Sequence, residues 1–168
     1  QLIKQRPDAQ KEETQGIGGY IYLRTDKPPF NDRRVRQAIS MGIDRKAIRD
    51  AITKGEGVPD QLYFVGYPFA RQVKDLPQAK YWERNVAEAK KLMAAAIGEG
   101  KTIDTTWNHA DIAAYGQEYI DTATLAQSQL KDIGLNITDN SQPYTTSYLT
   151  TTYQGNYEGM GHSPRAIA

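Results

Sequence analysis

Two histidines, a serine in a glycine-led run and an arginine near the C-terminal end are the side chains best placed to do chemistry. His109 and His162 lie far apart in the chain, and neither has a second ligand at helical spacing; no His-Glu-x-x-His run occurs. The run Gly161-His162-Ser163-Pro164-Arg165 approaches the G-x-S-x-G turn that exposes a nucleophilic serine. Arg165 replaces its second glycine, however, and Pro164 opposes the helix that must follow such a serine. The acid pair Glu12/Glu13 sits among polar residues and reads as solvated, and Asn136-Ile137-Thr138 is a chance match to a glycosylation sequon. Nucleophile, base and oxyanion donor are not assembled, so the expectation is no enzyme, no metal site and no cofactor.

Composition narrows the classes further. Zero cysteines exclude disulfides and thiolate chemistry. Lys+Arg number 21 against 20 Asp+Glu, a net charge of +1 that is weak for a dedicated nucleic-acid binder. No apolar run approaches the roughly 20 residues that span a bilayer. At 168 residues the chain is one domain or a piece of one. Its start at Gln1 suggests a processed product or a fragment.

The elements that must position any site follow from periodicity. Residues 1–18 read as an irregular lead-in. GIGGYIYLRT is a strand behind a glycine cluster, and its glycines precede a strand where a phosphate loop would need to precede a helix. Pro28 and Pro29 force an extended bend, Asn31 is the expected N-cap, and Asp32 the first-turn acid. Val35, Ala38, Ile39, Gly42 and Ile43 then share one helical face, leaving Arg33, Arg34 and Arg36 outside. Read alone, that basic face admits an alternative: a module binding nucleic acid or a partner protein. Asp44 opens a second helix, Arg45–Thr53, closed by Lys54 and Gly55. Residues 56–82, with prolines, aromatics and no period, form a long loop. A helix over Asn85–Ile97, a strand over Thr102–Asn108, a helix over Ala114–Ile133, a strand LNITDN, a short helix TTSYLTTTYQG and a strand NYEGMGH complete the chain. The alternation argues an α/β fold.

The run YIYLRTDKPPFNDRRVRQAISMGIDRKAIRDAITKGEGVP resembles the signature region of the oligopeptide/dipeptide/nickel-type solute-binding proteins of ABC importers. The likeness rests on Pro28, Pro29, Phe30, Asn31 and Asp32, then Val35, Arg36 and Ala38, then Ile43, Asp44 and Arg45, and finally Gly55 and Gly57. It continues through Glu88, Ala89, Lys90, Lys91 and Leu92, and through Leu130, Lys131, Ile133, Gly134 and Leu135. The resemblance implies a type II periplasmic-binding-protein-like lobe, a mixed sheet flanked by helices over residues 19–168, incomplete relative to a two-lobed whole. It also implies a function: capture of a peptide, oligosaccharide or chelate between two lobes, then delivery to an ABC permease in the membrane. The expected protein is an extracytoplasmic monomer, periplasmic or lipoprotein-anchored, with no cofactor and no nucleic acid.

By the same resemblance, ligand contacts come from the loop after strand Thr102–Asn108 and from the segment after the final strand. Trp107, Asn108 and His109 occupy the first; His162 and Arg165 belong to the second. Peptide-binding relatives carry Gly-Trp and then an aspartate in that second segment, to receive the peptide ammonium. This chain has His162, Ser163, Pro164 and Arg165 there and no acid. An Arg165 lining the cleft would favour a carboxylate-bearing solute, because guanidinium pairs bidentately with such groups. The Thr25–Ile48 stretch is then scaffold, distant from the solute.

Overall fold

A computed structural model describes residues 19–57 and 71–164. The expected lead-in over 1–18, the middle of the 56–82 loop and Arg165 lie outside those residues. Nine labelled elements follow in order: β1 (Gly19–Leu23), α1 (Arg33–Gly42), α2 (Arg45–Thr53), α3 (Val86–Ile97), β2 (Ile103–Ala110), α4 (Ile112–Tyr115), α5 (Gln117–Lys131), β3 (Leu135–Gln142) and β4 (Met160–Pro164).

The four strands form one sheet in the order β1-β4-β2-β3. β2 runs parallel to both β3 and β4, and β1 runs antiparallel to β4, with Gly19 opposite Pro164 and Leu23 opposite Met160. The C-terminal ends of β2, β3 and β4 therefore share one edge, which is where open α/β sheets place their ligands.

The apolar face read from the sequence builds the core. Val35, Ala38, Ile39 and Met41 of α1 meet Ala89 and Met93 of α3, Leu130 of α5 and Trp107 of β2 in one buried cluster. Each large aliphatic side chain buried there contributes about 1.5–3 kcal/mol. The arginines on the other face are held locally: Arg34 pairs with Asp32 and donates to the Ala95 carbonyl, and Arg36 donates to the carbonyls of Phe30 and Asn31. Arg45 clamps the α1–α2 junction, donating to the Ser40 and Trp82 carbonyls with its guanidinium 4.0 Å from the Trp82 ring centre.

Several boundaries differ from expectation. Asp32, not Asn31, caps α1, accepting from the Arg34 amide at 2.8 Å. Asn31 lies in the preceding turn, where its backbone amide donates to the Lys27 carbonyl. Asp44 caps α2 as read, accepting from the Ala47 amide. The described part of the long loop contains two short 3-10 turns, Val73–Asp75 and Ala79–Tyr81. The single helix expected over Ala114–Ile133 is broken at Gly116, whose φ of 82° lets the chain change direction between α4 and α5. TTSYLTTTYQG gives one wide π turn, Tyr144–Tyr148, followed by irregular turns. β4 starts late, at Met160, because Gly159 makes a tight entry at φ 81°. A Cβ on Gly159 would stand 2.5 Å from the Thr106 carbonyl oxygen.

Candidate functional site

β2 is longer than its periodicity suggested. It continues to Ala110, so Trp107, Asn108 and His109 stand on the strand and not in a loop beyond it. The extension follows from pairing: β3 keeps register with β2 as far as Gln142 opposite Ala110, and backbone bonds on that side outweigh the polar character of Asn108 and His109.

Four of the five expected residues come together. Trp107, Asn108, His109 and His162 are all buried, on the adjacent strands β2 and β4. The Trp107 and His162 rings lie 5.5 Å apart, and His162 stacks flat on Tyr119 of α5 at 4.5 Å. His109 sits 6.1 Å from the same tyrosine ring. Its Nδ1 is 2.7 Å from the Ala110 carbonyl oxygen, and its Nε2 is 3.1 Å from both carboxylate oxygens of Asp139. That last contact is an ion pair only when the ring is protonated.

Asn108 is committed to the scaffold. Its Nδ2 donates to the carbonyls of Glu158 and Met160, and its Oδ1 accepts from Asn140 Nδ2, so one amide joins β4 to β2 and β3. The approach to β4 is fixed from the other side as well. Arg24 donates to the Gly155 and Tyr157 carbonyls, and Lys27 pairs with Glu158.

Sequence reasoning missed the tyrosines that surround this group. Tyr119 and Tyr148 both donate to the carbonyl of His162, at 2.8 and 3.0 Å. Tyr115 meets Tyr119 and Tyr144 edge-on at 5.1 and 5.4 Å, and Tyr144 stacks on Tyr148 at 6.0 Å. Burial raises the Tyr115, Tyr119 and Tyr148 hydroxyls above the ordinary tyrosine value, which keeps them hydrogen-bond donors. A signal was available: Tyr115/Tyr119 and Tyr144/Tyr148 are both spaced by four, in a chain with 11 tyrosines. Also unforeseen were Gln142, which accepts from Thr152 Oγ1 at 2.6 Å, and the half-buried Asp111 that follows β2.

Burial, helped by nearby His109, depresses His162 to about 3, so the ring is neutral at ordinary pH. Its Nδ1 and the Trp107 Nε1 are buried without a hydrogen-bond partner among the described residues. Ser163 is buried on β4 beside His162 in the chain, and successive strand side chains point to opposite faces. Among the described residues no group of three His, Asp or Glu stands ready for a metal ion, and no helix is long and apolar enough to cross a membrane.

A mixed sheet covered by helices, with an aromatic and polar cluster at the common end of its parallel strands, is the architecture of an α/β ligand-binding lobe. The chain belongs to the bacterial extracellular solute-binding proteins, family 5, whose middle-region model matches residues 1–163. It is 30% identical over 164 residues to the periplasmic oligopeptide-binding protein OppA of Escherichia coli K12, a match covering 94% of this chain and 28% of that protein. The chain thus spans little more than a quarter of such a relative. Among solved structures, the murein tripeptide binding protein MppA of Escherichia coli superposes with a TM-score of 0.68 at 22% identity, covering 90% of this chain and 29% of that one. The periplasmic binding protein DppA of Helicobacter pylori, in complex with the peptide STSA, superposes with a TM-score of 0.66 at 19% identity, covering 90% and 27%. These likenesses establish the periplasmic-binding-protein fold. They lend no support to the alternative of a nucleic-acid module built on Arg33, Arg34 and Arg36.

Proposed function

We propose that this chain is the larger part of one lobe of a substrate-binding component of an ABC importer. The protein holds a peptide or similar small solute and presents it to a membrane permease. The observation that carries this reading is the family match over residues 1–163. The geometry agrees with it, because the three parallel strands end together beneath a cluster of tyrosines, a suitable wall for a solute.

Within that wall the expected residues take different parts. Trp107, His109 and His162 back the tyrosines and Asn108 ties the strands together, while Arg165, which follows β4 in the sequence, keeps its place as a candidate ligand contact. Closure of a second lobe over the edge would exclude water and strengthen every polar contact to the solute. No bond is made or broken, so the protein is a binder and not an enzyme. The reading carries with it an extracytoplasmic monomer, free in the periplasm or lipid-anchored.

Amide NMR spectra of the chain, recorded with millimolar pools of short peptides and oligosaccharides, test the reading. Expected are shifts confined to residues 110–119 and 140–148. A spectrum that no pool perturbs would refute solute binding by this lobe.

A further inference from the structure

α1 and the 3-10 turn Ala79–Tyr81 enclose an open-sided cavity of about 240 Å3, lined by Arg33, Arg36, Gln37, Ser40, Gln78 and Tyr81. It shares no residue with the tyrosine-lined edge of the sheet. Sites for drug-sized ligands start at about 300 Å3, so this space suits one small molecule and is too confined for an oligopeptide. Its walls are fixed from outside. The Arg45 guanidinium donates to the Ser40 carbonyl, to Ser40 Oγ at 3.1 Å and to the Trp82 carbonyl at 2.8 Å. That ties the end of α1 to the residue after Tyr81. The Tyr81 amide closes the turn on the Gln78 carbonyl at 2.9 Å.

The lining is positive and rich in donors. Arg36 commits Nη1 to the Phe30 and Asn31 carbonyls at 2.7 and 2.9 Å, which fixes the plane of its guanidinium. Its N–H groups on Nε and Nη2 remain donors. Ser40 Oγ accepts from Arg45, so its own proton is directed to another acceptor. Lys80 Nζ, 5.0 Å from the centre of the Tyr81 ring, adds positive charge beside the turn. Asp32, the acid next to Arg33 in the chain, pairs with Arg34. No acid is among the residues that line the cavity.

We infer that this cavity binds a small oxyanion, a phosphate or carboxylate group carried on a compact apolar body. Guanidinium groups hold such anions through paired, charge-assisted hydrogen bonds. The Tyr81 ring and the aliphatic stems of the two arginines give the apolar body a surface to rest on. A cavity this small holds one anionic group, so it does not revive a nucleic-acid face. The inference is independent of solute binding at the sheet edge, and neither reading needs the other.

The test titrates the whole 15N-labelled chain, at constant ionic strength, with phenyl phosphate, with benzoate and with neutral benzyl alcohol. One or both anions should shift the amides of residues 33–40 and 78–81 and leave residues 110–119 in place; the tighter binder names the preferred anion. Benzyl alcohol should shift neither segment. Arg33 is exposed, so Arg33→Gln should keep the melting temperature of the parent while weakening anion binding about three- to fivefold. Arg33→Lys, which keeps the charge and loses the fork, should fall between the two.

No shift at residues 33–40 with either anion at millimolar concentration would overturn the site. Equal shifts with benzyl alcohol would make the cavity an apolar crevice and overturn it as well. So would an affinity unchanged in Arg33→Gln, or shifts scattered over lysines and arginines across the surface. None of these results touches the proposed solute binding, which the peptide and oligosaccharide pools test separately.

Discussion

His162 shows how one side chain couples the sheet to pH. Its ring is enclosed by Trp107 and Tyr119, and burial is the main reason it resists protonation, with His109 adding to the effect. An unfolded histidine takes its proton near pH 6.5, whereas the folded one does so only at about 3. The unfolded chain thus binds more protons between those values, and stability, complete above about pH 6.5, falls as pH drops toward 3. The loss is on the order of a few kcal/mol, and His162→Phe should flatten it in urea denaturation repeated from pH 7 to pH 4. Asn108 makes a different prediction. Replaced by leucine, it leaves the carbonyls of Glu158 and Met160 without their donor, at about 1–3 kcal/mol each in the same assay. Neither role is legible from sequence, because a histidine or asparagine near a strand end reads as polar until the pairing of β3 shows that it is enclosed.

Elements were more legible than residues where a period or a cap announced them. Val35, Ala38 and Ile39 marked the inward face of α1 through their spacing alone, and Asp44 marked the start of α2. Reading failed where tertiary contacts decide. Asn31 and Asp32 are both good caps, and the turn in which their backbone amides donate to the Lys27 and Pro29 carbonyls places Asp32 at the helix start. Asp32→Ala should therefore cost about 0.5–2 kcal/mol by thermal unfolding, and Asn31→Ala less. The late start of β4 was hidden for a similar reason, since Gly159 matters only through its approach to β2. Gly159→Ala combines a left-handed φ with a clash against the Thr106 backbone, and should destabilise by at least about 2 kcal/mol.

For the molecule as a whole, the family signature lies in α1 and α2, while the proposed site lies at the far end of β2, β3 and β4. A scaffold repeats its motif, whereas a binding edge is gathered from separate strands, so the first could be read and the second had to be built. The sheet also carries a timetable. β2 and β3 are joined by the consecutive helices α4 and α5 and pair over eight residues, so their register can form early from nearby chain. β1 and β4 come from opposite ends of the described chain, and β4 shares only two register positions with β2. Their pairing closes nearly the whole chain into a loop, a step that topology makes slow. In pulsed hydrogen exchange during refolding, the amides of β2 and β3 should gain protection first, and those of Tyr20 and Tyr22 last.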